Sequence, residues 1–133
     1  MSSLEWRSIM KKPTDFTKLM TSYLGSYLPL QRNVSKNTIS SYCDAFRLLL
    51  IFLRDEKAMS IERIRIQDFS PGLIREYLSW LGHGRHCGIS TRNQRLAALR
   101  AFFKYVEVES PQHMLLCQKI INIPQKLRRF SIN

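Results

Sequence analysis

Acidic residues are scarce in this sequence. Only 10 Asp and Glu stand against 21 Lys and Arg among 133 residues, a formal net charge of +11, and such an excess points to a polyanionic partner. The shortage is also local. No acid occurs between Glu76 and Glu107, a stretch that holds Arg85, Arg92, Arg95, Arg100 and Lys104, and none follows Glu109, where Lys119, Lys126, Arg128 and Arg129 lie. Clustering of this kind makes a local positive field, whereas evenly mixed charge would only keep a surface soluble. Cysteine is sparse too: Cys43, Cys87 and Cys117 are odd in number and have no C-x-x-C spacing. That excludes a disulfide framework and a cysteine-rich zinc site, and fits a reducing, cytoplasmic setting. The longest apolar run, Leu48 to Leu53, is far too short to span a bilayer, and Met1 to Lys12 has no apolar core of signal-peptide length, so neither membrane insertion nor secretion is expected. No glycine-rich phosphate loop followed by Lys and Ser or Thr occurs, and no spacing pairs a nucleophile with a base. An enzyme, a cofactor and a small-molecule substrate are therefore not expected of this chain.

What is present suits one folded unit. The length allows a single domain with its own core, and 44% hydrophobic with 23% charged residues is ordinary for a globular protein. Caps and apolar spacing predict an all-α bundle of four to five helices, with no convincing alternating strand. The first starts near Asp15, carries Phe16, Leu19, Met20, Tyr23 and Tyr27 at helical intervals, and is stopped by Pro29. The second is capped by Ser35 and runs to about Glu56, with Ile39, Tyr42, Phe46, Leu49, Leu50 and Leu53 as its buried stripe. Its first half is polar on one side and must reach solvent or a ligand, while its second half is central. Ser60 to Asp68 is a connector, strand or loop, fastened to the core by Ile61, Ile64 and Ile66, with Phe69 just beyond. Ser70 and Pro71 then start a third helix through Ile74, Tyr77, Leu78 and Leu81.

Gly82, Gly84 and Gly88 surround His83, Arg85, His86 and Cys87, which marks a turn. Ser90 is expected to cap the fourth helix, whose stripe is Leu96, Leu99, Phe103 and Val106. Ser110 and Pro111 open a fifth through Met114, Leu115 and Ile120, which Pro124 ends. The expected organisation is a flexible N-terminal segment over 1–13, a helical domain over 14–123 and a basic linker over 124–133.

Two of these helices begin among groups suited to phosphate. Free backbone N–H groups and the partial positive charge of a helix start favour anions. Lys36, Asn37, Thr38 and Ser41 decorate the second helix, and Thr91, Arg92, Asn93 and Arg95 the fourth. At about 100° per residue, Asn93, Ala97, Arg100 and Lys104 share one flank of the fourth helix, away from its leucines. Arg pairs with guanine and Asn with adenine, whereas Lys and Thr more often hold phosphates. Duplex DNA is the expected partner, with Arg85 of the glycine-rich turn as a further phosphate contact. Each Ser is also an ordinary N-cap and each Arg also a solvated charge, so the collective pattern carries the reading. His83, His86 and Cys87 form an H-x-x-H-C cluster, but a structural zinc needs four ligands and no fourth is nearby, so no metal is expected.

Three stretches, SKNTISSYCDAFRLLLIFL, IQDFSPGLIREYLSWL and ISTRNQRLAALRAFFKYV, resemble in order and spacing the core-binding, SAM-like amino-terminal domain of phage integrases and other tyrosine recombinases. The resemblance covers roughly Asp15 to Ile123, and Thr38, Tyr42, Asn93, Arg95, Leu96, Leu99 and Phe103 carry most of it. It implies a helical half-clamp on duplex DNA, with the second and fourth helices in or near the major groove, and recombinase protomers as neighbours on DNA. It also implies that strand cleavage belongs to a separate carboxy-terminal domain with a His-x-x-Arg box and a nucleophilic tyrosine. Here the third place after His83 is His86, not Arg, and Tyr23, Tyr27, Tyr42, Tyr77 and Tyr105 sit in helical packing patterns. An all-α module that binds a protein partner, through the fifth helix for instance, is the alternative, since an interface of that kind survives high salt. RNA binding would require an exposed aromatic platform, and the aromatics lie in core positions.

Overall fold

The computed structural model describes residues 13–126, and within them the secondary structure is helical throughout. Five α-helices occur: α1 (Asp15–Ser22), α2 (Lys36–Lys57), α3 (Pro71–His83), α4 (Ile89–Glu109) and α5 (Met114–Ile121). The all-α class expected from the sequence is thus what the chain adopts. The N-terminal segment and most of the basic linker lie outside the described residues.

Side-chain caps set most of the starts. The hydroxyl oxygens of Thr14, Ser35 and Ser70 accept from the N–H groups of Thr17, Thr38 and Leu73 at 3.2, 3.2 and 3.0 Å, each satisfying one donor that a helix start leaves unpaired. Pro71 sits in the first turn of α3, where its missing N–H costs nothing. The fourth helix departs from expectation. Its N-cap is Gly88 in an extended conformation, with no side-chain cap, so Ser90 lies inside the first turn.

Pro29 does not stop the first helical stretch either. Beyond α1 the chain continues as a wider π-helical turn over Tyr23–Gln31 that contains Pro29, and Arg32 N–H closes it onto Tyr27 C=O at 2.9 Å. Tertiary packing holds this segment: Tyr23 and Leu28 are buried, and the Tyr23 ring meets those of Phe46, Phe102 and Tyr105 at 6.5, 5.4 and 5.1 Å. The connector that followed α2 in the sequence is neither strand nor open loop but two short 3₁₀ turns, Ile61–Arg63 and Ile66–Asp68. Ile64, Ile66 and Phe69 anchor it in the core. Asp15 ties it to α1, because its Oδ1 accepts from Ile66 N–H at 3.0 Å.

The core centres on α4. Besides the expected Leu96, Leu99, Phe103 and Val106, it buries Ala98, Phe102 and Tyr105, so its buried face is wider than one stripe. Phe102 meets Phe16, Phe46 and Phe103 edge-on at 5.9, 5.0 and 5.3 Å, the geometry aromatic quadrupoles favour. Ile74, Tyr77, Leu78 and Leu81 of α3 are all buried, and the Tyr77 hydroxyl donates to Ala45 C=O of α2 at 3.1 Å. On α5 the apolar face differs from expectation: Cys117 and Ile120 are buried, while Met114 and Leu115 are 45% and 73% exposed.

Candidate nucleic-acid interface

The polar starts of α2 and α4 meet in space. Gln94 Nε2 donates to Ser41 Oγ at 3.4 Å, and Arg95 Nη1 donates to Ser41 C=O at 3.3 Å. Lys36, Asn37 and Thr38 are exposed, and Ser41, Thr91, Arg92, Asn93 and Arg95 are half-buried. The two helix ends therefore form one surface instead of two separate ones. Arg95 is more strut than free cation: its guanidinium braces α2, and its Nε is buried without a partner among the described residues. Thr38 is also occupied, since Ser35 Oγ donates to its hydroxyl at 2.9 Å.

From this surface a groove of about 750 Å³ runs between α2, the π-helical segment and α4. Thr38, Tyr42, Ala97, Arg100 and Lys104 line it, together with Arg32, Tyr27 and Tyr105. The expected flank of Ala97, Arg100 and Lys104 thus faces the groove. Arg32 lies outside the two helix starts and the glycine-rich turn that hold the sequence candidates, and only the folded chain brings it to the groove. Tyrosines wall the groove as well as the core, and the Tyr23 phenol is held protonated: desolvation by burial, then the neighbouring Tyr42 and Tyr27 hydroxyls, push its pKa far up.

Charge in the groove is one-sided. Arg32, Arg100 and Lys104 are offset there only by Glu109, and none of the three forms an ion pair or side-chain hydrogen bond with another described residue. Arg100 Nε is in addition buried without an acceptor. Like charges that outnumber their counter-charge produce a positive potential, and a dehydrated donor lacking an acceptor carries an unmet hydrogen bond. Such a surface favours an anion such as phosphate.

Two candidates are engaged elsewhere. Asn93 does not point its carboxamide freely along the flank with Arg100: its Nδ2 donates to Lys126 C=O at 2.8 Å, and its Oδ1 accepts from Lys126 N–H at 2.9 Å. Arg85 is not a wall of the groove but lies over the Trp80 ring, 5.4 Å from its centroid. The turn that carries it is built by Gly84, where an added Cβ would lie 2.9 Å from Trp80 C=O, and by His86, which takes a left-handed φ of 55°. Among the described residues no group of three or more His, Cys, Asp and Glu could hold a metal, and no helix is long and apolar enough to cross a membrane.

The family described as "Phage integrase, N-terminal SAM-like domain" matches residues 22–110, a span that contains every wall of the groove. Two curated proteins of Sinorhizobium fredii (strain NBRC 101917 / NGR234) are similar to the chain. "Putative integrase/recombinase y4rC" is 33% identical over 117 residues, 88% of this chain and 35% of its own length. "Putative integrase/recombinase y4rD" is 34% identical over 114 residues, 86% of this chain and 41% of its own length. The chain thus spans well under half of either relative. No solved structure gives a significant match. With its helical architecture, the matched span and these relatives in agreement, the chain belongs to the phage integrase N-terminal SAM-like domain family.

Proposed function

We propose that this chain is the DNA-binding arm of a tyrosine-type site-specific recombinase, gripping duplex DNA while strand cleavage is carried out by a separate catalytic domain. The observation that carries this reading is the set of three cations, Arg32, Arg100 and Lys104, gathered without ion-pair partners in a groove beside the joined starts of α2 and α4. The groove cations and the exposed Lys36 and Asn37 would hold phosphates, as would Thr91 and Arg92. These contacts position the arm without reading sequence. A cleavage role for its own residues has no support. Tyr23, Tyr77 and Tyr105 are buried, and burial also raises the Tyr77 phenol, the opposite of what a nucleophile requires. On DNA the arm would sit among other recombinase protomers in the cytoplasm.

The test is fluorescence anisotropy with a labelled duplex across about 50 to 300 mM salt, each neutralised phosphate adding a slope of about 0.9 to log K against log salt. A steep fall in affinity is expected. Exposed Met114 and Leu115 on α5 favour a second reading, a surface for a protein partner. Absent or salt-insensitive duplex binding would refute the DNA arm and leave that reading standing.

A further inference from the structure

Asn93 lies on the expected DNA-facing flank, yet both polar groups of its carboxamide are spent on the backbone of one residue, Lys126, 33 positions later. The pair is reciprocal. Nδ2 donates to Lys126 C=O at 2.8 Å while Oδ1 accepts from Lys126 N–H at 2.9 Å, a two-point contact that fixes direction as well as distance. Arg92 Nη1 adds a third bond to the same Oδ1 at 3.3 Å, which completes the oxygen's acceptor capacity. Helix α5 has already ended by this point: Ile123 N–H closes its last turn onto Ile120 C=O at 3.1 Å, and Ile123 is buried. Pro124 and Gln125, which follow, are exposed. The next described anchor is Lys126, and the group that holds it is Asn93.

We infer that Asn93 is a positioning residue: it latches the chain leaving α5 onto the first turns of α4, and so sets Lys126 beside Arg92 at the joined helix starts. Lys126 lies outside the family-matched span 22–110, so the latch joins the matched bundle to chain beyond it. While it is closed, the Asn93 carboxamide is withheld from nucleobases, and Lys126 is tied to the same surface that carries the joined helix starts.

Residue-resolved amide exchange on the full chain by NMR tests this without DNA, because it reads local opening directly. Asn93→Ala is expected to speed exchange of the Lys126 amide on the order of threefold to tenfold, the worth of an ordinary net hydrogen bond, with the Ile123 amide unchanged. Asn93→Asp replaces the donor facing Lys126 C=O with a carboxylate oxygen, and is expected to speed Lys126 exchange as well. Equal Lys126 rates in wild type and Asn93→Ala would overturn the latch. Should Asn93→Ala fail to fold, Lys126→Pro removes the N–H from the other side, and the Asn93 side-chain amide resonances must then shift; unmoved resonances overturn the latch equally.

A second arm, resting on the proposed DNA role, repeats the exchange with saturating duplex. Retained Lys126 protection is expected, and its loss on adding DNA would show that Asn93 leaves the backbone for the ligand and overturn its role as a positioning residue. Absence of duplex binding would refute the DNA role alone, since the first arm stands without it.

Discussion

Replacing Arg32, Arg100 and Lys104 together by Gln removes the positive charge of the groove and keeps a polar side chain at each position. None of the three has an ion-pair partner to lose, and relief of their mutual repulsion opposes any loss of packing, so the bundle should melt as before. If each cation neutralises one phosphate, the slope of log K against log salt falls by about 2.7, three times the roughly 0.9 per contact. Between about 50 and 200 mM salt, wild type then loses about 40-fold more affinity than the variant does. Anisotropy with one labelled duplex gives both slopes, and far-UV circular dichroism confirms that the helices persist. Lys57→Gln is the control, because Lys57 is paired with Glu76 at 3.1 Å and does not line the groove; its slope should stay near the wild-type value. A triple variant that folds and keeps the wild-type slope would remove the groove from the interface.

Other expectations concern the bundle itself. Tyr77→Phe leaves Ala45 C=O without its side-chain donor, and should lower stability by about 1 kcal/mol in urea unfolding. Phe102→Ala empties the centre of the aromatic cluster, and a loss of about 3–5 kcal/mol is expected by the same assay. Gly84→Ala places a Cβ against the Trp80 carbonyl, so the turn must shift, at about 1–3 kcal/mol. Burial pushes the Cys117 thiol from 9.0 up to about 11. The folded state therefore holds the proton more tightly, and this contribution is present below pH 9 and lost as pH rises from there towards 11. Disulfide-exchange reagents at pH 8 should accordingly label exposed Cys43 in the native protein and reach buried Cys117 only on unfolding.

Legibility from sequence ran along the chain and weakened across it. Ser35, and Ser70 with Pro71, marked the starts of α2 and α3 because a cap acts within one turn of itself. The leucine stripes, the all-α class and the one-sided charge were equally local or compositional, and so were decided by the sequence alone. The start of α4 escaped because Ser90 resembles a cap while the chain already turns helical at Ile89. Met114 and Leu115 are apolar enough to suggest a core face, but at about 100° per residue Leu115 falls well away from the buried Cys117 and Ile120.

Only the tertiary structure decided the rest. Pro29 could be carried inside a helical segment because Tyr23 and Leu28 are buried against α2 and α4, which outweighs a local breaker. Asp15 reaches Ile66 across 51 positions, Arg95 reaches Ser41 across 54, and Asn93 reaches Lys126 across 33. Whether a polar side chain is a free ligand-binding group or a strut depends on such distant partners. Spacing and composition carry no record of them, because those bonds exist only once the chain has closed its long loops and the core has fixed the helices side by side.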